Sequence, residues 1–166
     1  MNHATDIKYL GIIIDEKLKF APHVDKVVKK ISSHAAVMLR MRKVMHRKHL
    51  LQYYNSYIKP IIQYGILIYG CTHKSILNRI LMVQKRITRL IFFKRFKDPV
   101  TDVMTEHKIY TVYELQYYEL LKEVVKNLNG WSCLNLLPSN VPSRSTRLQT
   151  SSVIHKYQRV LQIKHF

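Results

Sequence analysis

The residues able to do chemistry are few, and most are of one kind. The chain has 166 residues with 28 Lys+Arg against 10 Asp+Glu, a formal net charge of +18. Two-metal phosphoryl transfer needs carboxylates converging within a few ångströms. The only adjacent acids are Asp15-Glu16, and they fall where a turn is expected, a setting that favours such residues anyway. Glycine occurs 4 times and is never clustered, so there is no phosphate-cradling loop. His46 and His49 stand at i, i+3, and Cys71 and His73 at i, i+2. Neither has a completing pair at zinc-finger spacing, and the surrounding cations oppose a metal. No Ser-His-Asp arrangement can be argued. By these residues the chain is a binder rather than a catalyst, with no cofactor of its own.

The bases carry the signal. From Lys26 through Lys97 there are 17 Lys+Arg and not one Asp or Glu. A solvated helix surface normally mixes signs, because pairs at i, i+4 stabilise it by a few tenths of a kcal/mol. Here like charges crowd together, which makes sense if a polyanion supplies the missing negative charge. The candidate phosphate-binding residues are Lys26, Lys29, Lys30 and Arg40 on a first helix, and Arg79, Lys85, Arg86 and Arg89 on a third. The alternative is a basic surface that is merely solvated. Of the 11 tyrosines, most are expected in the core or at its edge. Tyr53, Tyr54 and Tyr57 fall near a helix's inward arc, so base stacking is not expected there.

The elements that must position these residues are mainly helical. The β-branched, apolar run from Ile7 to Ile14 reads as a strand, with Asp15-Glu16-Lys17 as a turn and Leu18 to Phe20 as a return strand. From His23 the period becomes helical, placing Val24, Val27, Val28, Ile31, Ala35, Met38 and Leu39 on one face. A second helix is expected from about Arg47 to Tyr57, with Leu50, Leu51, Tyr54 and Ile58 inward. Pro60 need not end it, since proline can kink a well-packed helix. A third spans about Ser75 to Phe93, N-capped by Thr72 or Ser75, with Ile76, Ile80, Val83, Ile87, Leu90 and Ile91 inward. Asp98-Pro99 has the form of an N-cap followed by proline, opening a short helix to about Glu106. Thr111-Val-Tyr-Glu114 has capping-box spacing and starts a helix ending near Gly130. Residues 138–152 are rich in serine and proline and read as a linker, with a weak amphipathic segment from Val153.

The expected fold class is therefore mainly α: a short N-terminal β-hairpin, a helical thumb-like bundle and an irregular C-terminal tail. Hydrophobic content of 47% is ample for one core. Two cysteines, Cys71 and Cys133, suggest a reducing compartment rather than a disulfide framework. MNHATDIKYL has neither a basic n-region nor an apolar h-region. An intracellular protein, nuclear or cytoplasmic and not secreted, is expected. The greasiest stretch, KPIIQYGILIYG at 59–70, is bracketed by Lys59 and Lys74, and its apolar run from Ile61 to Tyr69 is far short of the roughly 20 residues of a spanning helix. No membrane partner is expected.

That same stretch carries a resemblance. Ser56-Tyr-Ile-Lys-Pro60-Ile-Ile-Gln-Tyr64-Gly65, with Tyr69-Gly70 following, resembles a segment after the palm in reverse transcriptases of non-long-terminal-repeat (LINE-type) retrotransposons. The family commonly has tryptophan where Tyr69 stands. Tyr9-Leu10-Gly11-Ile-Ile-Ile-Asp15, with Leu18 and Pro22-His23 after it, resembles the family's YLG primer grip. The helix from His23-Val24 through Lys29-Lys30 is similar to the first thumb helix. Val83-Gln84-Lys85-Arg86-Ile87-Thr88-Arg89 resembles a Leu-Gln block, with Val83 in place of leucine. Asp98-Pro99-Val100 and Tyr113-Glu114-Leu115 continue the likeness, which covers about residues 8–128.

The resemblance implies a fragment: the end of the palm with a primer-grip hairpin at 1–20, a thumb at 21–97, a helical extension at 98–130, and a linker and weakly structured tail at 131–166. Tyr9, Leu10 and Gly11 would be the grip. The family's catalytic carboxylates, which use Mg2+, precede that grip and would lie outside this chain. The implied partners are RNA, DNA or an RNA–DNA hybrid, and the palm and fingers of the same polymerase. Three readings stand at this point: such a fragment, inert as a polymerase alone; a stand-alone helical nucleic-acid-binding protein; and a transposon remnant without function.

Overall fold

The computed structural model describes residues 6–128. A two-stranded antiparallel hairpin is followed by helices, so the described chain is mainly α. The linker at 138–152, the amphipathic segment from Val153 and the helix end near Gly130 lie outside the described residues.

The chain folds back earlier than its β-branched run suggests. Strands β1 (Asp6–Tyr9) and β2 (Ile12–Asp15) pair with Tyr9 opposite Ile12 and Asp6 opposite Asp15. Leu10 and Gly11 form the two-residue connection, with φ of 45° and 83°. Positive φ at both positions is what a type I′ hairpin turn requires. No return strand forms at Leu18 to Phe20. The Asp15 carboxylate accepts instead from the backbone N–H groups of Lys19 and Phe20, at 3.0 and 2.6 Å. Donors held by a side chain are not available to a ladder.

Helix α1 (Ala21–Met41) has Pro22 in its first turn and buries His23, Val24, Val27, Ile31, Ala35 and Met38. Val28 is only half-buried, and Leu39, expected inward, is half exposed. It sits about 100° round from Met38 and lines a hollow beside Ala35 and Val83.

Helices α2 (Arg47–Tyr53) and α3 (Lys59–Gln63) continue one another through a π-helical turn at Tyr54–Ile58. The Lys59 N–H bonds back to the Tyr54 carbonyl, five residues away. Pro60 explains this widening. Its ring would clash with the carbonyl four residues back, and it has no N–H to donate. The proline therefore bends the hydrogen-bond pattern without ending the helix.

Gly65, at φ 70°, turns the chain into α4 (Ile66–Tyr69). Ile62, Ile66 and Tyr69 are fully buried whereas Tyr64 and Ile68 are exposed, so one side of the greasy stretch is core. Helix α5 (Lys74–Ile91) is N-capped by His73, not by Thr72 or Ser75; the imidazole accepts from the Ser75 N–H at 3.3 Å. Thr72 Oγ1 donates instead to the Lys19 carbonyl. The buried face of α5 is Leu77, Ile80, Gln84, Ile87, Thr88 and Ile91. Ile76, Val83 and Leu90 are its half-buried shoulders, because polar Gln84 and Thr88 occupy the centre.

Helix α6 (Thr101–Glu106) starts after Val100, two residues later than expected. The Asp98 carboxylate accepts from the Arg95 N–H at 2.8 Å and closes the preceding loop rather than capping the helix. Helix α7 (Val112–Leu128) opens on the expected box. Glu114 Oε2 accepts from the Thr111 N–H at 2.9 Å, and the Thr111 hydroxyl accepts from the Glu114 N–H at 3.3 Å. Residues through Leu120 form one compact unit, and Leu121 onward belong to a second. Within the first, α1 packs on α5 and on α3. Each fully buried isoleucine there contributes roughly 1.5–3 kcal/mol.

Candidate nucleic-acid interface

The hairpin is fastened to the helices at its turn. Lys26 Nζ donates to the Gly11 carbonyl at 2.9 Å, and the Tyr64 hydroxyl donates to the Leu10 carbonyl at 2.6 Å. One β-turn is thus held by α1 on one side and by the Tyr64-Gly65 corner on the other. Gly65 also lets Ile12 approach: a Cβ there would lie 2.7 Å from Ile12 Cδ1. The outward N–H of Ile13 goes to His23 Nδ1 at 3.3 Å. With Nδ1 accepting, the ring proton of neutral His23 sits on Nε2, which is buried and has no hydrogen-bond partner. Burial, and then the Lys26 charge, lower the His23 pKa from its ordinary value.

Beneath the turn lies a hollow of about 310 Å³, lined by Gly11, His23, Lys26, Val27, Lys30, Ile61 and Tyr64. Tyr9 and Leu10, which precede Gly11, are 65% and 71% exposed. The hollow gathers two ammonium groups over an apolar floor.

The structure separates the eight candidate phosphate-binding cations. Lys26, Lys29, Lys30 and Arg40 are all exposed and share an arc of about 100° on α1. Arg86 is exposed beside a second hollow, between α1 and α5. Arg79 already has a partner, Asp25 Oδ1 at 2.6 Å. Arg89 is half-buried, donates to the Asp98 carbonyl at 3.1 Å and lies over the Phe96 ring. Lys85 is half-buried. Other cations are spent on aromatic faces: Arg42 lies 4.4 Å from the Phe93 centroid and Arg47 5.3 Å from that of Phe92.

Of the three tyrosines expected inward, Tyr53 and Tyr54 face the core and Tyr57 does not. Tyr54 is fully buried, but Tyr57 is 55% exposed. The π turn adds a residue to that turn and swings Tyr57 outward, a shift that a 100° wheel cannot register. Among the described residues no three His, Cys, Asp or Glu side chains converge as metal ligands. No described helix is long and apolar enough to cross a membrane.

About half of the chain is similar in sequence to RNA-directed DNA polymerases of mobile elements. Over 97 residues the chain is 32% identical to a probable RNA-directed DNA polymerase from transposon BS of Drosophila melanogaster, covering 55% of this chain and 10% of that protein. It is 31% identical over 94 residues to the RNA-directed DNA polymerase from mobile element jockey of the same fly, again 55% and 10%. To a probable RNA-directed DNA polymerase from transposon X-element it is 30% identical over 87 residues, 51% and 10%. About half of this chain is thus similar to polymerases of LINE-type, non-LTR retrotransposons. The chain spans about a tenth of the length of these relatives. No family model and no solved structure matches it.

Proposed function

We propose that the chain is part of a mobile-element RNA-directed DNA polymerase. In this reading it holds template and primer through phosphate contacts, and the catalytic carboxylates come from elsewhere in that polymerase. The observation that carries the reading is the arc of Lys26, Lys29, Lys30 and Arg40 on α1, within a stretch from 26 to 97 without an acid. The arc offers chiefly charge, although Val37 within it is 42% exposed. Phosphates match it without reading sequence. The YLG turn, gripped by Lys26 and Tyr64, stands beside that arc, as a primer grip would.

The test is binding of a labelled RNA–DNA hybrid by the full chain across a salt series. Replacing Lys26, Lys29, Lys30 and Arg40 together by Gln lowers the slope of log K against log salt by roughly 3–4 if each neutralises a phosphate. An unchanged slope overturns the reading. A second arm adds a separately produced palm and measures nucleotide incorporation, which the chain alone does not support.

One observation favours a stand-alone binder: the core closes among residues up to Leu120 without another chain. Salt-dependent hybrid binding that the palm neither strengthens nor turns into synthesis would select that reading.

A further inference from the structure

The hollow under the YLG turn has a cluster of rings next to it along α1. Helices α1 and α3 pack on one another, and their facing residues run in opposite order. Lys26 and Lys30 share the hollow with Tyr64 and Ile61. One turn further along α1, His34 meets Tyr57, its ring stacked at 6.2 Å and 26°. Along this seam the cations and His34 stand on α1, and Tyr57, Ile61 and Tyr64 stand on the facing segment. From Lys26 to His34 it runs about 12 Å, roughly three nucleotides at the ~3.4 Å rise of a helical strand.

The aromatic end is built, not incidental. His34 Nδ1 and the Tyr53 hydroxyl are 2.8 Å apart, which fixes Tyr53. Tyr53 in turn packs on Tyr57 at 4.7 Å between centroids. Tyr57 thus packs against both rings in a three-ring cluster while 55% of it remains exposed. The π turn that Pro60 imposes is what puts it there. A ring held in advance loses little freedom on stacking a base. The face of a paired base is covered by its neighbours in the duplex, so this ring is open only to an unpaired one.

Resting on the phosphate-binding reading above, we infer that this seam is a groove for a single nucleic-acid strand, with phosphates on Lys26 and Lys30 and an unpaired base stacked on Tyr57. A peptide partner would need acidic side chains to answer the lysines, and the aromatic wall would offer them nothing. A nucleotide strand satisfies both walls with one repeating unit.

The experiment uses the full chain and fluorescent single strands of about ten residues, oligo-dT, oligo-U and an abasic strand of the same backbone. The base-bearing strands bind about tenfold more tightly than the abasic one. Tyr57→Ala removes that difference and leaves abasic binding unchanged, whereas Tyr57→Phe keeps it. Lys30→Gln weakens all strands and lowers the salt slope by roughly one. A 4-thiouridine strand cross-links to Tyr57. Base-bearing and abasic strands binding alike, both salt-dependently, would overturn the base platform and leave the phosphate reading standing. No binding of any strand would remove both. Cross-links confined to the Lys29 and Arg40 side of α1, away from Lys26, Lys30 and Tyr57, would also overturn the groove. The circular dichroism of Tyr57→Phe, which keeps the ring, guards against reading a folding defect as lost stacking. If oligo-dT and oligo-U both show the Tyr57 effect, either sugar fits; if only one does, it names the strand.

Discussion

The side-chain amide of Gln84 donates to the Tyr54 hydroxyl at 3.0 Å, and both side chains are essentially out of solvent, at 0% and 1% exposure. The same Nε2 donates to the Tyr110 carbonyl at 3.2 Å, and Oε1 accepts from the Val112 N–H at 2.9 Å. One polar side chain in the middle of α5 thus joins the π turn to the start of α7. Gln84→Ala strands the Val112 N–H and the Tyr54 hydroxyl in the core. We expect a loss of about 2–4 kcal/mol in a urea titration. A loss under about 0.5 kcal/mol would show that the hub contributes little.

Gly65 combines positive φ with the close approach of Ile12. Gly65→Ala is expected to cost about 2 kcal/mol, part from backbone strain and part from displacing Ile12. Ile12→Val in the same chain should recover some of the second part only. No recovery, measured by thermal melting of both variants, would place the whole cost in the backbone.

Leu10 is 71% exposed and sits at φ 45°, a region that costs leucine roughly 1–2 kcal/mol and asparagine less. The Tyr64 hydroxyl bonds its carbonyl, not its side chain. Leu10→Asn should therefore stabilise the fold by about 0.5–1 kcal/mol while keeping the hairpin register. A destabilised variant would mean that the leucine side chain packs where the accessible surface shows none.

Burial pushes the Tyr54 hydroxyl up to about 12, against a small opposing effect of the Gln84 bond. Burial raises Tyr69 as well. A phenol whose folded pKa is raised contributes stability that is complete below the unfolded value of about 10 and is lost as pH rises through the folded value. For Tyr54 this amounts to on the order of 2–3 kcal/mol. Alkaline titration should therefore unfold the chain between about pH 10 and 12, with these phenolates appearing together with loss of ellipticity. Phenolate absorbance complete before the ellipticity changes would contradict this. Tyr54→Phe should flatten the decline.

The Asp15 carboxylate works in the opposite direction. Desolvation pushes its pKa up, but the N–H groups of Lys19 and Phe20 outweigh it and the net shift is downward. Its contribution is present above the ordinary carboxylate value and lost as pH falls through the lowered one. Asp15→Asn should be less stable than the parent at neutral pH and converge on it in acid. A constant gap from pH 6 to pH 2 would place the effect in shape rather than charge.

Much of the fold is written in local pattern. The helical period from His23, the capping box at Thr111 and Glu114, and a proline that bends a helix without stopping it all depend on neighbours a few residues apart. So does the acid-free stretch from 26 to 97, which is a property of the chain before it folds. The order of the YLG, Pro–Tyr-Gly and Val-Gln segments was legible for the same reason, and it pointed to the mobile-element polymerases that half of the chain matches.

Tertiary structure decided the rest. The hairpin turn falls at Leu10-Gly11 because Lys26 and Tyr64 hold both of its carbonyls, and leucine is no turn residue by itself. Gln84 and Thr88 lie at the centre of the α5 interface because partners 26 to 30 residues away satisfy the Gln84 amide. Tyr57 faces the groove because Pro60 forces a π turn one step before it can be seen in any 3.6-residue period. Of eight cations equal on paper, Arg79, Arg89 and Lys26 are engaged by Asp25, the Asp98 carbonyl and the Gly11 carbonyl, whereas Lys29, Lys30 and Arg40 on the α1 arc face solvent. Sequence determined which residue types were present and how they repeat. Long-range packing determined which polar groups met a partner inside the fold, and so which were left for a partner outside it.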